Sequence, residues 1–135
     1  SSERRFAMLE AFADTKANRA VHMMPIIPYL TDRKEDITAL FRRAAEIRAD
    51  YVLPSLLNLR GQTKSAFMTF LATDYPDLLA PIHKLYEKGQ LDREFSAKTY
   101  KKVNEIKAEF KLSSNYLAAM RKRLQTDSFE QLRLF

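Results

Sequence analysis

Apolar and polar positions follow two different periods along the 135-residue chain. From residue 2 to 13, Phe6, Leu9, Phe12 and Ala13 share one helical face, while Glu3, Arg4, Arg5 and Glu10 fall mostly elsewhere. The spacing predicts a short helix, or the end of one. "RAVHMMPII" follows, with Val21, Met23 and Met24 ahead of two prolines. A short, turn-bounded apolar run of this kind predicts a strand buried on both faces. Asp32, with Glu35 three residues later, has the spacing of a helix-capping box. Ile37, Leu40, Phe41, Ala44 and Ile47 then form a stripe over 33–48. "DYVLPSLLNL" predicts a second strand over 50–53, broken at Pro54. Strand, helix and strand in this order make a βαβ unit, so the two strands are expected to be parallel.

Beyond Gly61 the pattern is helical. Phe67, Phe70 and Leu71 predict one short helix. Leu78, Leu79, Ile82, Leu85 and Tyr86 predict a second, stopped by Gly89. Tyr100, Val103, Ile106 and Phe110 predict a third. Ser113 or Ser114 is placed to cap a fourth, which carries Tyr116, Leu117, Met120 and Leu124. The tail "QTDSFEQLRLF" has no helical stripe. The expected organisation is α/β, with a βαβ part over 1–60, a helical region over 61–124 and a flexible tail over 125–135. Two parallel strands do not complete an α/β architecture, because parallel sheets need more strands and cover on both faces. A chain that opens on Ser-Ser and reads at once as helix fits a fragment of something longer.

Composition narrows the classes. The chain is 46% hydrophobic and 30% charged, the balance of a folded, water-exposed domain. No apolar run approaches the roughly 20 residues of a membrane span, and no membrane partner is expected. There is no cysteine, hence no disulfide and no thiolate metal site in these residues, in keeping with a cytoplasmic location. The net charge of +6 is localised. Region 98–123 holds Lys98, Lys101, Lys102, Lys107, Lys111, Arg121, Lys122 and Arg123 against Glu105 and Glu109, and the other residues balance. A concentrated basic face matches a polyanion such as DNA, and equally a solvated helix surface.

Candidate chemistry is sparse. His22 and His83 have no second histidine or carboxylate at metal spacing, so no metal ligand is assigned. Asp32, Glu35 and Asp36 are explained by capping and by the helix dipole. Phe67, Phe70, Tyr75, Tyr86, Tyr100, Phe110 and Tyr116 stand mostly at stripe positions and are expected in the core. The segment "PIIPYLTD" stands where α/β proteins build their sites, between the carboxyl end of a strand and a helix. Proline fixes φ and lacks an N–H, so the two prolines are expected to stiffen the strand exit and to end ladder pairing. The same features serve an ordinary strand-to-helix connection.

Taken together, "SSERRFAMLEAF", "HMMPIIPYLTD", "AAEIRADYV", "LNLRGQTKSAF" and "DYPDLL", in this order, resemble the C-terminal half of radical S-adenosylmethionine proteins of the spore photoproduct lyase-like, "DNA repair photolyase" type. The resemblance implies a fragment of a partial (β/α) barrel. It implies S-adenosylmethionine and a [4Fe–4S] cluster as cofactors of the intact protein, the cluster being held by a CxxxCxxC motif in the missing N-terminal half. Alone, these residues would be inactive. Pro25, Ile27 and Pro28 would wall the adenosine site, with Met24 and Ile26 facing the packed layer behind. Asn58 and Arg60 would lie on the substrate side, where the guanidinium suits a substrate or cofactor carboxylate and equally a surface position at the turn before Gly61.

The last residues, Gln131, Leu132, Leu134 and Phe135, resemble the Q-L-x-L-F peptide by which bacterial polymerases and repair proteins bind the DNA sliding clamp. Apolar anchors beside one hydrogen-bonding side chain are what such peptides offer a pocket. A second reading of the whole chain is therefore a non-catalytic basic helical adaptor, binding nucleic acid through 98–123 and the clamp through its tail.

Overall fold

The computed structural model describes residues 1–121 and Leu124. The order is α1 (Ser2–Glu10), β1 (Ala20–Ile26), α2 (Lys34–Glu46), β2 (Tyr51–Leu56), α3 (Gly61–Asp74), α4 (Pro76–Leu85) and α5 (Arg93–Glu109). A further helical segment starts at residue 116. The architecture is α/β and mostly helical, with β1 and β2 paired in parallel in a two-stranded sheet. α1 ends at Glu10, short of the predicted 13, and Phe12 is exposed.

One face of the sheet carries the main core. Met23 and Ile26 of β1 and Val52 and Leu56 of β2 pack with Phe6 of α1, Ile37, Phe41 and Ala44 of α2, and Val103 and Ile106 of α5. α5, late in the chain, thus belongs to the same core as the sheet. A second cluster, Leu59, Leu71, Ile82 and Tyr86, joins the end of β2 to α3 and α4. The expectation of strands buried on both faces fails. Met24 and His22 are exposed on the opposite face, where Tyr51, Leu53 and Ser55 of β2 are only half-buried.

The strand pairing accounts for both strand prolines. Ala20 to Met23 pair in step with Tyr51 to Pro54, but the next pair is Ile26 with Leu56. Met24 and Pro25 therefore share the place opposite Ser55, which is a β-bulge. Pro25 does not end the ladder as expected. It lies inside β1, after a cis Met24–Pro25 bond, and pairing resumes at Ile26. The extra residue also breaks alternation, so Ile26 returns to the core face while Met24 does not.

Nor does Pro54 end β2, which continues to Leu56. The Val52 N–H donates to the Ser113 carbonyl at 2.8 Å, and the Val52 carbonyl accepts from Ser114 Oγ at 2.8 Å. Backbone groups of Val52 therefore point away from β1, and by alternation those of Pro54 do too. At that outer edge, a residue without an N–H costs no ladder bond.

Helix ends differ from expectation in detail. Arg33, not Asp32, occupies the cap position of α2, and no side chain caps it. Asn115, not Ser113 or Ser114, caps the last helical segment: its Oδ1 accepts from the Ala118 N–H at 3.0 Å. Ser113 Oγ instead accepts from the Asn115 N–H at 2.9 Å. Ser114 Oγ is committed to the sheet edge and to Lys107 Nζ at 3.0 Å. Ser114→Ala leaves the half-buried Val52 carbonyl and Lys107 without that partner. Stability is expected to fall by about 1–2 kcal/mol, measured by urea unfolding; an unchanged midpoint would show that the edge does not depend on this hydroxyl.

Candidate functional site

The carboxyl ends of β1 and β2 lie side by side, since the Leu57 N–H donates to the Ile26 carbonyl at 3.0 Å. This brings the segments 25–28 and 57–60 together. The loop after β1 is tightly built. The Ile27 N–H donates to Thr31 Oγ1 at 2.8 Å, and the Ile27 carbonyl accepts from the N–H groups of Leu30 and Thr31. Tyr29 has a φ of 64°, in the left-handed region, and its N–H donates to Asp32 Oδ1 at 2.9 Å. That bond explains the failed cap: the Asp32 carboxylate closes the turn at Tyr29 instead of starting α2. Lys102 Nζ donates to the Asp32 carbonyl from α5, and the Tyr29 and Phe95 rings meet edge to face at 5.5 Å. The loop is therefore fastened to α5 at two points.

The candidate residues differ in access. Pro25 is exposed on the bulge, Ile27 is half-buried and Pro28 is fully buried. Pro28 braces the loop from within and has no surface for a ligand. Asn58 and Arg60 are exposed after β2, and the extended Arg60 leads into α3 through Gly61, whose φ of 51° favours glycine. Beneath them, Tyr86 Oη donates to the Leu57 carbonyl at 2.6 Å. Burial pushes the Tyr86 phenol up to about 12. Apolar spacing puts Tyr86 on a stripe but carries no sign of this bond, because a hydroxyl's partner 29 residues away leaves no trace in periodicity. Gln131, Leu132, Leu134 and Phe135 lie outside the described residues.

A groove of about 560 Å³ runs along the other edge of β1, unforeseen from the sequence. Its walls include Arg5, Met8 and Leu9 of α1 and His22, Met24 and Pro25 of β1. On the open sheet face, the His22, Tyr51 and Tyr116 rings follow one another at 6.2 and 6.4 Å. Four of the aromatics expected in the core, Phe70, Tyr75, Tyr100 and Tyr116, are exposed. Helical spacing identified a stripe wider than the face that actually packs: α3 buries Leu71 and leaves Phe70 outside.

The basic region is partly spent on internal bonds. Lys102 and Lys107 hold Asp32 and Ser114, while Lys98, Lys101, Lys111 and Arg121 are exposed. Lys122 and Arg123 lie outside the described residues. Among the described residues, no group of three or more His, Cys, Asp or Glu is gathered for a metal ion, and no helix is long and apolar enough to cross a membrane.

No protein-family profile matches the chain, and no solved structure does. It is similar to uncharacterized proteins of Mycobacterium tuberculosis and Mycobacterium bovis, each 28% identical over 116 residues. Those residues are 85% of this chain and 34% of each relative. The chain thus spans about a third of the length of the curated relatives that it matches.

Proposed function

We infer that these residues are the C-terminal portion of a radical S-adenosylmethionine enzyme of the spore photoproduct lyase-like kind, with their strands belonging to a partial (β/α) barrel. The observation that carries this reading is the arrangement of the βαβ unit. Its helix α2 packs with α1 and α5 on one face, and its two strand-end segments adjoin, with Asn58 and Arg60 exposed after β2. In open α/β sheets, ligands bind outside the carboxyl ends of the strands. The matched span is 34% of each mycobacterial relative, which leaves room for a cluster-binding part.

The fit to the implied cofactors is uneven. With no cysteine in the sequence and no metal-ligating group among the described residues, these residues do not fit a [4Fe–4S] cluster. No step through the cluster is derived for them. For the nucleoside part of S-adenosylmethionine, the exposed Pro25 and the half-buried Ile27 remain as apolar candidates, Ile27 being held by its bond to Thr31. Arg60, exposed beside Asn58, presents a planar cation able to take a carboxylate in two hydrogen bonds. The adaptor reading ranks second, because Lys102 and Lys107 are used within the fold.

The test is anaerobic reconstitution of the longer gene product with iron and sulfide. About four irons per chain and reductive release of 5′-deoxyadenosine from S-adenosylmethionine are expected. Absence of a CxxxCxxC motif upstream of Ser1 would overturn the reading.

A further inference from the structure

We propose that two exposed surfaces of this chain form a head-to-tail contact between copies of it. One is an aromatic patch flanked by carboxylates on α3 and α4. The other is the basic, apolar helical segment that starts at residue 116. The first surface is marked by the composition of α3. From Ser65 to Thr73 that helix carries no charge, yet of its 14 residues Leu71 alone is buried. A helix with water along its outer side ordinarily turns charged residues to it. Here Phe67, Phe70 and Tyr75 form a run of rings with centroids 6.0 and 5.5 Å apart, and Phe70 and Tyr75 are 43% and 42% exposed. Asp74 and Asp77 stand on either side of Tyr75 and Pro76 in the chain. Both are exposed, and neither joins an ion pair among the described residues. They are the only charged residues from 65 to 82, so the patch is negative on a chain of net charge +6.

The second surface has the opposite sign. Tyr116, Leu117, Met120 and Leu124 recur at helical spacing, and all four are exposed. Arg121 is exposed among them, and Lys122 and Arg123 follow it in the sequence. An apolar stripe with cations beside it suits an aromatic patch with carboxylates beside it. The apolar side chains leave water together at the centre, and the charges pair at the rim. A single molecule does not make this match, because both surfaces are exposed in the fold and they lie at opposite ends of β2. The Tyr116 ring meets Tyr51, the first residue of β2, whereas α3 and α4 pack with Leu59, just beyond the last. The partner of each surface is therefore its counterpart on a second copy. The two surfaces differ, so the contact is heterologous: each copy offers its patch to one neighbour and its helix to another.

The proposal does not depend on the reading as a radical enzyme. It is tested by sedimentation velocity on the longer gene product, from low to high micromolar concentration and at low and high salt. The mean mass is expected to rise with concentration, and less steeply at high salt, where rim charges are screened. Reversing the patch, Asp74→Lys with Asp77→Lys, or the helix, Arg121→Glu with Lys122→Glu, is expected to weaken association about tenfold, since like charges then face each other. An equal mixture of the two variants should associate again, because the reversed patch of one meets the reversed helix of the other. A monomer mass at every concentration would overturn the proposal. So would association that either reversal leaves unchanged, which would put the contact elsewhere. Weakening in both variants without recovery on mixing would also overturn it, because the substitutions would then act through the fold and not by meeting each other.

Discussion

Tyr86→Ala is expected to cost about 3–5 kcal/mol, the range for deleting a large buried aromatic. Tyr86 is fully buried with Leu59, Leu71 and Ile82, and it is the piece that ties α4 to the segment after β2. Tyr86→Phe separates packing from hydrogen bonding. It keeps the ring and leaves the Leu57 carbonyl without its 2.6 Å donor, at an expected cost of about 1–3 kcal/mol. The wild type adds a pH signature. Burial raises the folded phenol to about 12, above the ordinary 10 of the unfolded chain. A group raised on folding contributes fully below the unfolded value and loses its contribution as pH rises through the folded one. Stability should therefore be flat with respect to this group below pH 10 and fall from 10 to 12, at up to about 1.4 kcal/mol per pH unit. Urea unfolding of wild type and Tyr86→Phe across pH 8–12 checks this. A difference between them that does not shrink above pH 10 would show that the hydroxyl ionises without penalty.

Phe41→Ala carries the other large effect. Phe41 is completely buried in α2, between the sheet and the helices on its face. Its loss should cost about 3–5 kcal/mol, against a total of 5–15 kcal/mol for a typical domain. The melting temperature should drop by roughly 10–15 °C, read by circular dichroism or calorimetry. Because α1, α2 and α5 meet at this core, the strand-end loop fastened to α5 by Lys102 should loosen with it. A drop of only a few degrees would mean that the sheet side of the core collapses onto the space left behind.

Both residues were visible in the sequence as stripe positions, and their different consequences were not. Tyr86, at the C-cap of α4, shared its apolar stripe, yet its hydroxyl reaches a carbonyl across the second cluster. Asp32 matched a capping box in spacing, but its Oδ1 accepts from the N–H of the left-handed Tyr29, and Arg33 takes the cap position. Local pattern ranks the donors within a carboxylate's reach along the chain. Only the path of the chain decides which one arrives.

The strand prolines divide in the same way. Proline at positions 25 and 54 was legible as a disturbance of strand pairing, because a missing N–H follows from the residue itself. Whether it breaks a strand depends on which side of the ladder the residue faces, and that is a property of the pair. Pro54 falls on the outer edge and β2 continues; Pro25 falls in the bulge and β1 resumes at Ile26. The βαβ order, the parallel pairing and the main core stripe of α2 are legible in the order of residues alone, because they follow from apolar period and connection length. The bulge, the exposure of His22 and Met24 and the internal use of Lys102 and Lys107 came from how distant parts of the chain meet. Those depend on register and on partners far apart in the chain, which no local spacing encodes.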